Sequence, residues 1–521
     1  MGATNVKQLQ GQHSTRADSL PATADRIRRD VAQQLDPARR VLLGQFLTPT
    51  SVAGFMARMF EKHKADLRIL DPGAGVGSLS AALVAAICRT RHRPRSILLT
   101  AYEMDPMLGR HLRVILDLCR QASEETGIRF EAHVHEEDFL EAGVESLAGG
   151  LFARRTNEQF DAAILNPPYR KIATESRERK LLRSIGLETS NLYTGFLGVT
   201  ARLLAPGGQM IAITPRSFCN GPYFEPFRRF FLRDMRFRRV HVFDARDQAF
   251  ADDKVLQENV IFRAQRTART GGRVIVSSST GPDDPKMHIR RIRHEDLVRS
   301  DDRDAFIHIV PDSGGDTIRQ RMQSLGANLA DLDLKVSTGR VVDFRAKELL
   351  RATPGGDMVP LIYPCHLQGG TVVWPNGRTR KPNALALGPR TDDLLVPIGH
   401  YVLVKRFSAK EEPRRVVAAV FDPALVRTDQ VAFENHLNYY HQHGRGLPPA
   451  LAKGLAAFLN STLVDSYFRQ FSGHTQVNAT DLRSLRYPAK EKLVALGRRV
   501  GKRLPAQMDL DRLVEQVVLH A

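Results

Sequence analysis

Three glycines within five residues set the first constraint on this chain. Leu67-Arg68-Ile69-Leu70 is a short apolar stretch, Asp71-Pro72-Gly73-Ala74-Gly75-Val76-Gly77 follows it, and Ser78 opens a helical pattern. A strand, a glycine turn and a helix start, in that order, let a ligand approach the main chain where a Cβ would collide with it. The spacing Gly-x-Gly-x-Gly departs from the Gly-x-Gly-x-x-Gly of dinucleotide binders, because Ser78 stands where the last glycine would. Around this turn, from Leu67 to about Arg266, apolar and β-branched runs alternate with longer helical patterns. The runs predict strands at Leu67–Leu70, Ile97–Tyr102, Phe160–Leu165, Met210–Thr214, Val240–Phe243 and Asn259–Phe262. That is the rhythm of a parallel sheet covered by helices, an α/β domain.

Acidic residues stand at the ends of two further strands. Glu103 follows the run Ile97 to Tyr102, where a carboxylate can accept both hydroxyls of a ribose, and Asp138 follows another short strand, ahead of Phe139. With Asp71 and the glycines, these positions fit an elongated ligand carrying an amine, a ribose and a purine, as S-adenosylmethionine does. Each acid taken singly also suits a helix cap. After Phe160 to Leu165 comes Asn166-Pro167-Pro168-Tyr169. Two prolines freeze the backbone, so the Asn166 side-chain oxygen and the Pro167 carbonyl become two fixed acceptors at a strand end. An amino nitrogen conjugated to a ring is a poor nucleophile. Hydrogen bonds from both its N–H groups to placed acceptors stabilise it increasingly as it attacks a methyl group. Tyr169 offers a ring face on which a planar target can stack.

The order of these motifs resembles the N6-adenine-specific DNA methyltransferases of the gamma, TaqI-like group, and in detail the BsuBI/PstI modification methylases. The resemblance covers nearly the whole chain after residue 40. It rests on Gly44-Gln45-Phe46-Leu47-Thr48-Pro49, Asp71 to Gly77, Glu103-Met104-Asp105, Asp138-Phe139-Leu140, Asn166 to Tyr169 and Asn191-Leu192-Tyr193-Thr194-Gly195-Phe196. It implies a Rossmann-like class I S-adenosylmethionine-dependent methyltransferase domain followed by a mixed α+β target-recognition domain. It further implies that Thr48, Asp71, Gly73, Gly75, Glu103, Met104, Asp138, Phe139, Pro168 and Phe196 bind the cofactor. Glu103 would take the ribose, Asp138 the adenine amino group, and Phe196 would flank the adenine. Asn166, Pro167 and Tyr169 would be catalytic, on an adenine flipped out of duplex DNA. A second stacking ring is then expected, and Phe250, in Gln248-Ala249-Phe250-Ala251-Asp252-Asp253-Lys254, is the candidate. The resemblance also implies the modification half of a restriction-modification system, functionally paired with a restriction endonuclease, with CTGCAG as the candidate site and a monomer or dimer as the working form. Asp71 departs from the Glu of some relatives, and Pro72-Gly73 is one of several loop variants.

Composition agrees with a DNA partner. The 521 residues carry 76 Lys+Arg against 57 Asp+Glu, a formal net charge of +19, which points to a polyanion. Seven arginines (Arg228, Arg229, Arg233, Arg236, Arg238, Arg239, Arg246) fall between Glu225 and Arg246, where they could meet phosphates or form a solvated face. A second basic set, Lys335, Arg340, Arg345, Lys347, Lys405, Arg406, Lys410, Arg414 and Arg415, lies among aromatics further on, and Gly473-His474-Thr475-Gln476-Val477-Asn478 resembles a recognition-domain segment. The four cysteines (Cys88, Cys119, Cys219, Cys365) are widely spaced and read as buried free thiols, with no metal site. Glu258-Asn259-Val260 and Pro364-Cys365 are similar to elements of cytosine-C5 methyltransferases. Their order is reversed, however, and amine attack needs no thiolate, so Cys365 is expected to be dispensable for chemistry.

The expected organisation is a polar leader over 1–40 with a short amphipathic helix at Ala24 to Leu35. A methyltransferase domain follows over 41–280, then a connector over 281–325 with the sheet's last strand, Arg273 to Ser277, before it, and a recognition domain over 326–521. No apolar run reaches the ~20 residues of a membrane span, so a cytoplasmic protein without membrane attachment is expected. Two alternatives share parts of the pattern. A glutamine-N5 protein methyltransferase uses Asn-Pro-Pro-Tyr for the same amine problem but lacks a large basic second domain. A non-catalytic DNA-binding subunit would have lost the glycines, Glu103 and Asn166, which this chain retains.

Overall fold

The computed structural model describes residues 15–519 except 37–43, 45, 62–63, 149–158, 244–257, 270, 300–301, 303, 311–313, 378, 389–390, 409–411 and 472–475. The chain divides into two compact units, Met1–Pro311 and Asp312–Ala521.

In the first unit nine strands form one sheet: β1 (Asp66–Pro72), β2 (Ser96–Tyr102), β3 (Arg129–His135), β4 (Phe160–Leu165), β5 (Leu204–Pro215), β6 (Met235–Phe243), β7 (Asn259–Arg266), β8 (Arg273–Ser279) and β9 (His288–Arg293). Their order is β3-β2-β1-β4-β5-β7-β6-β8-β9. The strands from β3 to β5 run parallel, but β7 is antiparallel to both β5 and β6, and β9 is antiparallel to β8. The wholly parallel sheet expected from the sequence is therefore corrected at one side. A buried apolar strand reads the same in either direction, so its sequence carries no direction. The order has a physical consequence for function. From β1 the chain winds outward through β2 and β3, then returns to lay β4 on the other flank of β1. That reversal opens a crevice outside the carboxyl ends of β1 and β4, where the helices that follow diverge.

The longer helices among the described residues are α1 (Arg16–Gln34), α2 (Thr50–Ala57), α3 (Ser78–Cys88), α4 (Pro106–Glu125), α5 (Phe139–Ala148), α6 (Arg177–Ser184), α7 (Leu192–Leu203) and α8 (Glu225–Asp234). Helix α3 is buried along almost its whole length because α1, α2 and α4 cover it on the side away from the sheet. The expected leader is thus corrected. α1 starts eight residues earlier than its pattern suggested and buries Ala17, Leu20, Ala24 and Val31 against the domain. The expected connector also differs from the structure: β9 extends the sheet, and Ile307 and Ile309 join the core beneath α8.

One core group ties this unit's stability to pH. His241 on β6 is fully buried, with Nδ1 2.9 Å from Ser277 Oγ, Nε2 3.1 Å from Ser279 Oγ, and the Phe55 ring 4.3 Å away. Burial, with Arg239 adding to it, pushes its pKa down to about 3. Below pH 6.5 the unfolded chain binds a proton that the folded chain refuses, so stability rises with pH between about 3 and 6.5, by up to roughly 1.4 kcal/mol per pH unit. In urea titrations across that range, His241→Phe is expected to show a shallower pH slope than the parent. An identical slope would mean that the imidazole is protonated in the fold.

In the second unit, a six-stranded sheet runs Lys335–Thr338, Leu437–His441, Tyr401–Lys405, Ala418–Phe421, Thr371–Val372, Leu367–Gln368. A five-stranded sheet runs Leu350–Arg351, Ala384–Ala386, Met358–Ile362, Gln430–Phe433, Leu395–Pro397. Helices at Pro449–Leu459, Thr462–Phe471 and Lys490–Arg499 complete its core. Among the described residues of both units, no helix is long and apolar enough to cross a membrane.

Candidate active site at the switch point

The crevice predicted by the strand order is present, and most of the sequence-predicted residues line it. Thr48, Gly73, Gly75, Glu103, Met104, Asp138, Phe139, Asn166, Pro168 and Phe196 surround a cleft of about 780 Å³ counted to its open mouth. Gly73, Gly75 and Gly77 all have positive φ (74°, 58° and 90°), which explains why a turn this tight between β1 and α3 is written in glycine. The turn is tied to the neighbouring strand by Gly73 and Ala74, whose N–H groups both donate to the Tyr102 carbonyl at 2.9 Å.

Glu103 sits at the end of β2 and is almost wholly buried. Its Oε2 accepts from Gly75 N and its Oε1 from Asp105 N, each at 2.9 Å. Burial pushes its pKa up, while those two backbone donors pull it back. Each oxygen keeps a lone pair for a hydroxyl of the ligand. Asp138 caps α5 through Oδ1, which accepts from Leu140 N at 2.7 Å and Glu141 N at 3.2 Å; its Oδ2 has no partner among the described residues. The helix-cap and ligand readings of this acid are therefore compatible. Tyr102, Phe139 and Phe196 form a continuous aromatic wall, with centroids 5.3 and 5.1 Å apart, suited to a purine. Ser78, at the start of α3, lines the same cleft and holds a buried hydroxyl with no partner among the described residues. Sequence reasoning missed Ser78, Tyr102 and Phe46.

Asn166, at the end of β4, is held by its amide nitrogen. Nδ2 donates to the Phe46 carbonyl at 2.8 Å and to Thr48 Oγ1 at 3.0 Å. A carbonyl can only accept, so the nitrogen must face Phe46 and Oδ1 must face the other way. The segment that does this is pinned to Asn166's own turn: Tyr169 N donates to the Gly44 carbonyl at 2.9 Å. A Cβ on Gly44, whose φ is 66°, would lie 2.7 Å from Tyr169 backbone atoms. Thr48 thus has a task beyond contacting a ligand. Thr48→Val is expected to lower kcat about tenfold, the usual loss for one orienting hydrogen bond, and Thr48→Ser to restore it. Equal rates for the two variants would show that the hydroxyl does not orient the amide.

Other expected residues are placed elsewhere. Asp71 is fully buried beneath the glycine turn, where Ser80 Oγ donates to its Oδ2 at 2.6 Å; it does not line the cleft. Burial raises its pKa to about 7. Pro167 is buried, and Tyr169, half-buried, donates through its hydroxyl to the Ile213 carbonyl at 3.3 Å with its ring edge-on to Tyr193; neither lines the cofactor cleft. Phe250 lies outside the described residues, as do Arg246, Lys410 and Gly473 to Thr475. Several arginines of the two basic sets are structural. Arg228 is 1% exposed and donates to the Phe218, Gly221 and Asp304 carbonyls, and Arg415 is buried over Phe468 with Nε 3.1 Å from Ser408 Oγ. Arg340 and Arg414 also donate to main-chain carbonyls. Cys88, Cys119 and Cys219 are buried free thiols, whereas Cys365 is half-buried.

Sheet order, glycine turn and strand-end acids together define a class I S-adenosylmethionine-dependent methyltransferase. The cofactor, when bound, supplies a methyl group on a sulfonium, and the cradle at Gly73 and Gly75, Glu103, Asp138 Oδ2 and the aromatic wall fit it. Residues 103–250 match the family described as Eco57I restriction-modification methylase. The chain is 43% identical to the type II methyltransferase M.PstI of Providencia stuartii over 96% of this chain and 97% of that one. It is 41% identical to the type II methyltransferase M.BsuBI of Bacillus subtilis over 92% and 94%. It belongs to the type II restriction-modification DNA methyltransferases of this M.PstI and M.BsuBI type. In fold it is similar to the type IIL restriction-modification enzyme MmeI solved in complex with DNA, with a TM-score of 0.55 and 12% identity, over 89% of this chain and 70% of that one.

Proposed function

We propose that the methyl acceptor is N6 of an adenine flipped out of duplex DNA. The observation that carries this reading is the fixed amide of Asn166, whose Nδ2 is committed to Phe46 and Thr48 so that Oδ1 is presented as an acceptor. An acceptor held before the substrate arrives costs nothing to orient in the transition state, where the attacking nitrogen gains positive charge. The Pro167 carbonyl is the natural second acceptor, and Tyr169 and Phe250 are the candidate rings for the extruded base. Asp312–Ala521 is the target-recognition part, CTGCAG the candidate site, and a cognate restriction endonuclease in the same cytoplasm the functional partner. Incubation with labelled cofactor and a CTGCAG duplex, followed by digestion to nucleosides, is expected to place the label in N6-methyladenine. Label in N4-methylcytosine would reassign the acceptor, since that amine poses the same problem to Asn166.

A further inference from the structure

One end of the six-stranded sheet in the second unit gathers groups that its core does not need. Thr338 ends one strand there, Leu437 begins the next and Lys405 ends the third. The loops beyond them are stitched together. Gly339 N donates to the Leu437 carbonyl at 2.8 Å, Asn435 N to the Val341 carbonyl at 2.8 Å, Arg406 N to the His436 carbonyl at 2.9 Å and Val477 N to the Arg406 carbonyl at 2.7 Å. Gly339 approaches the Glu434 carbonyl so closely that a Cβ would lie 2.1 Å from its oxygen. The result is a firm platform of backbone.

On that platform stand exposed rings with cations against them. Phe344 is 77% exposed with the Arg345 guanidinium 5.5 Å from its centroid, and Phe407 is 36% exposed with Arg406 at 5.8 Å. The acids beside them are neutralised or hidden. Asp343 accepts from Tyr363 and Lys381, and the Glu434 side chain is fully buried. Glu434 spends both oxygens on one residue: Oε2 accepts from His436 N at 2.9 Å and Oε1 from His436 Nδ1. A carboxylate can only accept, so Nδ1 carries the proton and the ring is fixed in tautomer and direction. The ring itself is half exposed, lies 4.9 Å from Phe407 and has no hydrogen-bond partner for Nε2 among the described residues.

Burying a carboxylate is costly and must be offset. Satisfying a loop amide would not require an oriented, exposed imidazole as well. We infer that His436, aimed by Glu434 and flanked by Phe407 and Arg406, reads the edge of one base pair in the DNA site. Neutral Nε2 can accept from the amino group of adenine or cytosine, and protonated Nε2 can donate to guanine N7 or O6, whereas Arg345 holds the backbone and Arg406, whose guanidinium donates to the Asn435 carbonyl at 3.1 Å, braces the platform. Here Glu434 is a positioning residue and His436 a specificity residue. This rests on the reading of Asp312–Ala521 as the recognition part.

The test compares the wild type, His436→Ala and Glu434→Gln on duplexes carrying the wild type's mapped site and every single-base-pair change of it. For His436→Ala, discrimination in kcat/KM at one base pair is expected to fall about tenfold, with the other positions still discriminated. Glu434→Gln should relax the same position by less, because the ring remains but loses its aim. A uniform loss at all duplexes with a shallower salt dependence would make His436 a phosphate contact and overturn the inference, as would an unchanged profile. A wild type that methylates no duplex would instead refute the proposed function. His436 is exposed, so failure to fold is not expected of its alanine variant; thermal melting checks this.

Discussion

Asn166→Ala is expected to lower kcat for methyl transfer by about 10²- to 10³-fold, the loss seen when one preorganised partner of a developing charge is removed. The side chain sits at the rim where the cofactor cleft meets the strand end, and it is oriented from behind by Phe46 and Thr48. The loss should therefore fall on the chemical step. Single-turnover rates with saturating cofactor and duplex should drop, while cofactor titration shifts much less than the rate. Asn166→Asp is the sharper variant. It keeps an oxygen toward the acceptor but puts another against the Phe46 carbonyl, where two acceptors repel. Activity is expected to fall here as well, although charge alone would favour a cationic nitrogen. Full transfer by a folded Asn166→Ala would remove the chemical role of the Asn-Pro-Pro-Tyr turn.

What was legible in the sequence was what local chemistry dictates. Gly73, Gly75 and Gly77 declare themselves because only glycine adopts their φ at low cost, and Glu103 and Asn166 because each directly follows an apolar strand and so reaches the same crevice; Asp138 comes shortly after a strand that is more polar. What stayed hidden depends on contacts distant in sequence. Phe46 orients Asn166 with a main-chain carbonyl, an atom every residue has, so its place in the segment Gly44 to Pro49 does not disclose that role. Asp71 looks like its acidic neighbours but lies on the covered side of the turn, bonded to Ser80. Arg228 and Arg415 belong to basic sets whose members suggest exposed cations, at phosphates or on a solvated face. A guanidinium has five donors, and when backbone carbonyls and an aromatic face satisfy them it can be buried, a circumstance the side chain's identity does not reveal. The pattern places the start of α1 too late because Pro21 in its first turns reads as a helix stop, and the burial of α1 is underestimated for a related reason. Arg28 and Asp25 on its buried face pair with each other at 2.9 Å, so the apolar stripe is interrupted by charges that cancel inside the fold.

Gly454→Val and Gly497→Val are expected to destabilise the protein by about 3 kcal/mol or more, through a clash that no rotamer relieves. The two glycines face each other where the helices Pro449–Leu459 and Lys490–Arg499 cross. A Cβ on Gly454 would lie 1.8 Å from the Leu493 carbonyl oxygen, and one on Gly497 1.8 Å from that of Ala450. Both obstacles are main chain, so the helices must separate. Separation opens gaps among Leu451, Leu455, Phe458, Leu493 and Leu496, which are fully buried between them. Alanine tests the geometry most strictly, because in an open helix Gly→Ala gains up to ~1 kcal/mol of propensity; here it should lose stability instead. Gly326→Ala, with open space around it, is the control and should move the urea midpoint little. Helix Pro449–Leu459 also packs on the strands Tyr401–Lys405 and Ala418–Phe421, the first of which leads directly into Arg406 and Phe407. Variants that part the helices should therefore lose discrimination between DNA sites in the same order in which they lose stability. A Gly497→Ala protein with an unchanged midpoint would mean that the helices cross farther apart than 1.8 Å contacts allow.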